Sequence, residues 1–146
     1  MNAHFLAGVL LEDEESGALV LAVLTPESQQ ELLRRVPPVH PEVKAHHMTI
    51  AFNPSLEAYY QVYSHRAGRP VKMKVVGMMQ DDKAQAVAVY PDCDTENEHP
   101  HITISVATGV PAKYSNELLA KSGTYPLKPF MLEAVVTLED LSASKA

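Results

Sequence analysis

Several stretches of the chain alternate apolar and polar residues, and each predicts a strand with one buried face. Val71 to Met79 sets Val71, Met73 and Val75 against Lys72 and Lys74, and Ala84 to Tyr90 follows after the turn Asp81-Asp82-Lys83. Ala45 to Phe52 and His101 to Ala107 are further strands, and Phe130 to Leu138 is the last. His4 to Glu12 and Ala18 to Leu24 are mainly apolar runs joined by the polar turn Asp13 to Gly17, which predicts a hairpin. A buried helix over Ser16 to Leu24 competes with that reading, because a short apolar run does not reveal its period.

Helix signals fall between these strands. Thr25 is placed as an N-cap before Pro26 and Glu27, with Leu32, Leu33 and Val36 on the apolar side and Pro37-Pro38 as the stop. Pro37 to Pro41 is then a stiff connector. Asn53-Pro54-Ser55 caps a second helix through Tyr63, and Ser115 caps a third through Lys121. Pro91 to His99 is an acidic, exposed loop, Thr108 to Lys113 is another loop, and the Ser/Ala/Lys tail is expected to fray. A loose internal repeat emerges from this order. Each strand with a His-x-Thr triplet is followed by a capped helix, a basic residue with proline (Arg69-Pro70, Lys128-Pro129) and another strand.

Composition narrows the setting. With 146 residues the chain is long enough for one domain with a sizeable core. No apolar run approaches the ~20 residues of a membrane span, and no secretory signal is recognisable. The expected location is cytoplasmic. The single Cys93 allows no internal disulfide, and Asp92 and Asp94 beside it disfavour a thiolate. A formal charge of −6, with only 12 Lys and Arg in all, argues against long duplex nucleic acid as a partner. A small nucleotide or a strand end fits better.

The candidate chemistry lies in two tetrads, His47-Met48-Thr49-Ile50 and His101-Ile102-Thr103-Ile104. On a strand, His and Thr two residues apart share a face while the apolar residues point into a core. Two such strands side by side would converge two imidazoles and two hydroxyls. Phosphodiester cleavage needs a base for the attacking oxygen and an acid for the departing one, and imidazoles poised differently supply both. The hydroxyls would then hold the phosphoryl oxygens. A single His-x-Thr is commonplace on strands, where its histidine is usually an ordinary half-buried one; the duplication is what carries weight.

The doubled pattern resembles the 2H phosphoesterase superfamily. The longer segments His46-His47-Met48-Thr49-Ile50, Pro100-His101-Ile102-Thr103-Ile104-Ser105 and Tyr114-Ser115-Asn116-Glu117-Leu118-Leu119 are similar to its cyclic-phosphodiesterase and RNA end-healing branch. The resemblance covers about residues 43 to 119. It implies an α+β bilobal fold, two pseudo-symmetric antiparallel sheets flanking a central cleft with helices outside, so that residues 1–146 make one domain of two related lobes. It also implies His47 and His101 as acid and base, Thr49 and Thr103 as phosphate ligands, and neither metal nor cofactor. The implied activity is hydrolysis of 2′,3′-cyclic phosphates of nucleotides or RNA ends. One alternative is destruction of cyclic oligonucleotide signals of bacterial anti-phage defence, the work of some phage members. Another is a binding module without turnover.

Other residues have two readings each. Lys113, Tyr114, Ser115 and Asn116 open a helix, where an anion is favoured, and are expected to bind substrate; for Ser115 and Asn116 plain capping, and for Tyr114 packing, is the competing role. His46 has the wrong parity to face the cleft unless the strand bulges. His47, His99 and His101 could instead ligate a metal, though no third-ligand spacing completes a site. Tyr59, Tyr60 and Tyr63 stack a base or belong to the core. Lys72 and Lys74 add positive potential to the cleft or face solvent. His4, His40 and His65 are expected at the surface.

Overall fold

The computed structural model describes two short strands, β1 (His4–Leu6) and β2 (Gly8–Val9), and residues 14–141. β1 and β2 pair with each other as a separate hairpin. The rest of the first expected strand, and the tail at 142–146, lie outside the described residues.

The run Ala18–Leu24 is a strand, β3, not a helix. Its expected hairpin partner is not found: one edge of β3 pairs with β5 (His47–Phe52) and the other with β9 (Tyr125–Asp140). Both edges are therefore taken by strands distant in sequence. The helix α1 (Pro26–Arg35) begins as its sequence dictates, with Thr25 Oγ1 accepting from the Ser28 amide at 3.1 Å. Ser55 caps α2 (Leu56–Gln61) in the same way, through the Ala58 amide, and a 3₁₀ turn at Tyr63–Arg66 follows.

The remaining strands are β4 (Glu42–Val43), β6 (Pro70–Gln80), β7 (Ala84–Pro91) and β8 (His101–Val106). β8 bonds to β4 and β5 along one edge and to β7 along the other. β6 joins β7 to β9. The pairings thus close into an antiparallel ring, β3-β5-β8-β7-β6-β9, so the two expected sheets are joined into one hydrogen-bonded surface. β9 begins five residues before the expected Phe130. Pro126 and Pro129 hide that part of the strand: they donate nothing to a ladder, and the register with β6 shifts between Val75 and Gly77.

The register of the ring carries the internal repeat. Met48 pairs with Ile102, the second residue of each tetrad. Met73 pairs with Leu132, each three residues after the proline of its repeat. β3 flanks β5 as β7 flanks β8, with Val23 opposite His47 and Ala88 opposite His101. Even the bulges correspond: between Val20 and Leu21 of β3 and between Gln85 and Ala86 of β7, the extra residue is Ile50 in β5 and Ile104 in β8. A two-fold relationship between the halves accounts for all these matches.

The core lies on the face that carries Met48, Ile50, Ile102, Ile104, Met73 and Leu132, all buried and joined by Leu32 and Val36 from the α1 side. A smaller apolar cluster of Met79, Ala84 and Val106 seats Leu118 and Leu119 of α3 (Tyr114–Ser122). Among the described residues no helix is long and apolar enough to cross a membrane.

Candidate active site

His47, Thr49, His101 and Thr103 all line one cleft of about 1090 Å³, on the face of β3, β5 and β8 opposite the core. The pairing of Met48 with Ile102 is the cause. One step from that pair in opposite directions brings His47 level with Thr103 and Thr49 level with His101. Further parts of the wall come from Leu19 and Leu21 of β3, Glu139 of β9, Lys44, the segment Pro111 to Lys113, Asn116, Glu96 and Asn97.

The two imidazoles are held differently. His101 Nδ1 lies 2.8 Å from the His99 carbonyl oxygen. A carbonyl only accepts, so Nδ1 carries the proton and Nε2 of the neutral ring keeps its lone pair. His47 Nδ1 lies 3.0 Å from His46 Nδ1, with the two rings edge to face at 5.2 Å between centroids. Neither His47 Nε2 nor His101 Nε2 has a partner among the described residues. Burial holds His47 down to about 4, helped by the charges that His46 and His101 would carry. Burial also lowers His101, opposed by its bond to the His99 carbonyl. Both rings are thus neutral at neutral pH.

The two hydroxyls differ as well. Thr103 is 8% exposed, and its Oγ1 meets the Ala112 carbonyl at 3.2 Å and Ser115 Oγ at 2.8 Å. Thr49 is half-buried, and its side chain has no hydrogen bond among the described residues. Behind the second tetrad, Ser105 donates to Gln85 Oε1 at 2.6 Å, and Gln85 also bonds Pro37 and Val39. This buried network ties the connector after α1 to β8.

The predicted substrate-binding residues divide. Lys113 and Asn116 line the cleft. Ser115 is wholly buried, does not line the cleft and bonds Thr103. It is not the cap either: α3 starts at Tyr114 after Lys113, with no side-chain cap. The Tyr114 hydroxyl donates to Asp81 Oδ2 at 2.6 Å, which pushes the phenol up to about 12, and the ring lies outside the cleft lining.

His46 does line the cleft, against its parity. The reason is local: Ala45 adopts φ +47° and gives its amide to Thr103 O, so the alternation restarts at His47. Phe52, not singled out by the sequence reading, is the second side chain re-aimed by an irregularity, since the bulge at Ile50 brings it opposite Leu19 on the cleft face. The acidic loop is exposed in part but contributes Glu96 and Asn97 to the cleft, anchored by the Glu96 amide on Ile50 O and by the Tyr63 hydroxyl on Glu96. Tyr63 packs in the core, Tyr59 lies against it and Tyr60 is exposed, and none of the three lines the cleft. Lys72 and Lys74 are exposed and outside the cleft lining, as are His65 and His99. His40 is half-buried and bonds the Asp81 carbonyl. Among the described residues no group of three or more His, Cys, Asp or Glu is placed to hold a metal ion. No protein-family model matches the chain, and no curated protein matches it.

Proposed function

We propose that the chain is a metal-independent phosphodiesterase of the 2H phosphoesterase kind, with a bilobal 2H fold, acting on 2′,3′-cyclic phosphates of nucleotides or RNA ends. The observation that carries this reading is the meeting of two imidazoles and two hydroxyls from two-fold-related strands in one cleft. His101, with its proton fixed on Nδ1, has Nε2 ready to take the proton of an attacking water. For an acyclic linkage the attacker is the neighbouring ribose hydroxyl. His47, once protonated, gives a proton to the departing oxygen. Its Nδ1–H then has His46 Nδ1 as acceptor. Thr49 donates to a non-bridging oxygen as negative charge gathers there, and Thr103 does the same by turning its one hydroxyl proton away from the Ala112 carbonyl. Lys44 and Lys113, both exposed at the cleft, offset the charge of the phosphate.

The deciding experiment is a panel of nucleoside 2′,3′-cyclic phosphates and cyclic-phosphate-ended oligonucleotides, incubated with and without EDTA and resolved into 2′- and 3′-phosphate products. Turnover that survives the chelator supports the reading. Loss to EDTA with recovery on adding a divalent ion defeats it, and tight binding of unchanged ligand makes the protein a nucleotide-binding module.

A second reading has one observation in its favour. The cleft exceeds the ~300–1,000 Å³ usual for small-molecule sites, which leaves room for a cyclic oligonucleotide such as the signals of anti-phage defence. Including cyclic di- and trinucleotides in the same panel separates the two substrates.

A further inference from the structure

The two halves of the cleft are related in backbone but not in chemistry, and the difference falls at one position. Phe52 follows Thr49 by three residues on β5, or ~10 Å along a strand. The bulge at Ile50 turns it to the side of His47 and Thr49, opposite Leu19. It is 67% exposed, so its ring is free to take a ligand. The matching residue of the second half, after Ile104 and Ser105, is Val106, which is fully buried and packed with Leu118 and Leu119. That half instead presents Pro111, Ala112, Lys113 and Asn116 to the cleft. Among the described residues Phe52 is the one phenyl or phenol ring on the cleft wall. One end therefore carries an aromatic ring, with Leu19 and the acidic Glu139 beside it, and the other is polar and cationic, with the paired imidazoles between.

We infer that Phe52 is the platform on which the base of the substrate nucleotide stacks, so that the substrate lies across the tetrads with its base toward the β3–β5 end and any further phosphates toward Lys113. This rests on the phosphodiesterase reading for the phosphate's place, but the platform itself needs only a nucleotide ligand. Stacking is tolerant of base identity because every base has a π-face. The site consequently discriminates a nucleotide from a bare sugar phosphate far more than one base from another. A base on Phe52 covers the exposed ring and excludes water from the apolar wall of Leu19 and Leu21.

The test compares wild type, Phe52→Ala and Phe52→Tyr on two esters: adenosine 2′,3′-cyclic phosphate and the abasic 1-O-methyl-ribose 2′,3′-cyclic phosphate. The ring is exposed, so the truncation disturbs little packing, and the tyrosine variant keeps the stacking face. Phe52→Ala is expected to lose kcat/KM on the adenosine ester by about 5- to 100-fold more than on the abasic ester, mainly through KM, with Phe52→Tyr close to wild type. A parallel titration with a 2-aminopurine nucleotide reads stacking by fluorescence quenching without needing turnover, and Phe52→Ala should abolish the quench. Equal losses on both esters, or an undiminished quench in Phe52→Ala, overturn the platform while leaving the phosphodiesterase reading intact. No turnover by wild type, with a quench that depends on Phe52, overturns the enzyme and keeps the platform; neither turnover nor quench overturns both.

Discussion

Met48 of β5 and Ile102 of β8 are register partners on adjacent strands of the ring, and this one pairing sets both imidazoles over the same hollow. Each residue is fully buried, so the register is fixed by the core and not by the site. A slip of one residue would turn His and Thr of one strand into the interior and expose its apolar partners. The apolar residues at the second and fourth places of each tetrad thus hold the reactive ones where they are.

Replacing either imidazole tests the convergence directly. His47→Ala and His101→Ala are each expected to lower kcat on a cyclic-phosphate substrate by about 10²–10⁴. The double variant should be little worse than the poorer single one, because acid and base act on one event. Full activity in either single variant would leave the cleft without its proposed chemistry.

The pH dependence follows from burial. Burial and its histidine neighbours hold His47 at about 4, and burial lowers His101. The bell of kcat/KM should therefore centre on the acid side of the ordinary imidazole value near 6.5. A bound phosphate favours the charged ring, so the bell of kcat should sit at higher pH than that of kcat/KM. Stability moves in the same window. Above 6.5 neither folded nor unfolded His47 is charged; between 6.5 and 4 the unfolded chain takes a proton that the folded one refuses, so stability falls as pH falls. The loss reaches up to about 3 kcal/mol at the lower end. Urea unfolding from pH 7 to pH 4 should show a shallower decline for His47→Gln than for wild type, and identical slopes would contradict the shift.

These features were unevenly legible in the sequence. Parity placed His47, Thr49, His101 and Thr103 on one side of their strands because each tetrad is regular as far as its threonine, the bulge falling on the isoleucine that follows. It failed one residue before the first tetrad, at His46, and two residues after it, at Phe52. In both cases an irregularity changes the count, and alternation alone carries no mark of a bulge. Ser115 misled for another reason: a hydroxyl early in a helix reads as a cap, while here Thr103, 12 residues away, claims it. The hairpin expected for Ala18–Leu24 failed because proximity in sequence stood in for pairing, whereas the two-fold arrangement required β5 and β9 as neighbours.

His46 should act on the reaction through His47. It is exposed, and its Nδ1 faces His47 Nδ1 at 3.0 Å. The charge that His46 would carry lowers His47, so His46→Ala should raise the pKa of His47, and the loss of the contact that orients the ring should lower kcat by about 10-fold. His46→Asn, which restores a hydrogen-bonding side chain without the charge, should recover kcat while keeping the displaced pH limb. His101, Lys44, Lys113, Glu96 and Glu139 also line the cleft, and their contributions are common to both variants. An unshifted pH profile in His46→Ala would reduce it to a bystander.

The two threonines should separate stability from rate. Thr103 Oγ1 is bonded to Ala112 O and to Ser115 Oγ, and Ser115 has no exposure to water. Thr103→Val keeps the shape but strands the Ser115 hydroxyl, at a cost of about 1–3 kcal/mol. Thr49 has no such partner among the described residues and is half-buried, so Thr49→Val should change stability by less than about 0.5 kcal/mol. Both variants lose a donor to the phosphoryl oxygens and should slow turnover, Thr49→Val with an unfolding midpoint like that of wild type. Equal stability for the two variants would mean that the bond from Thr103 to Ser115 contributes nothing. An unslowed Thr49→Val would mean that the phosphate is held from the second tetrad alone.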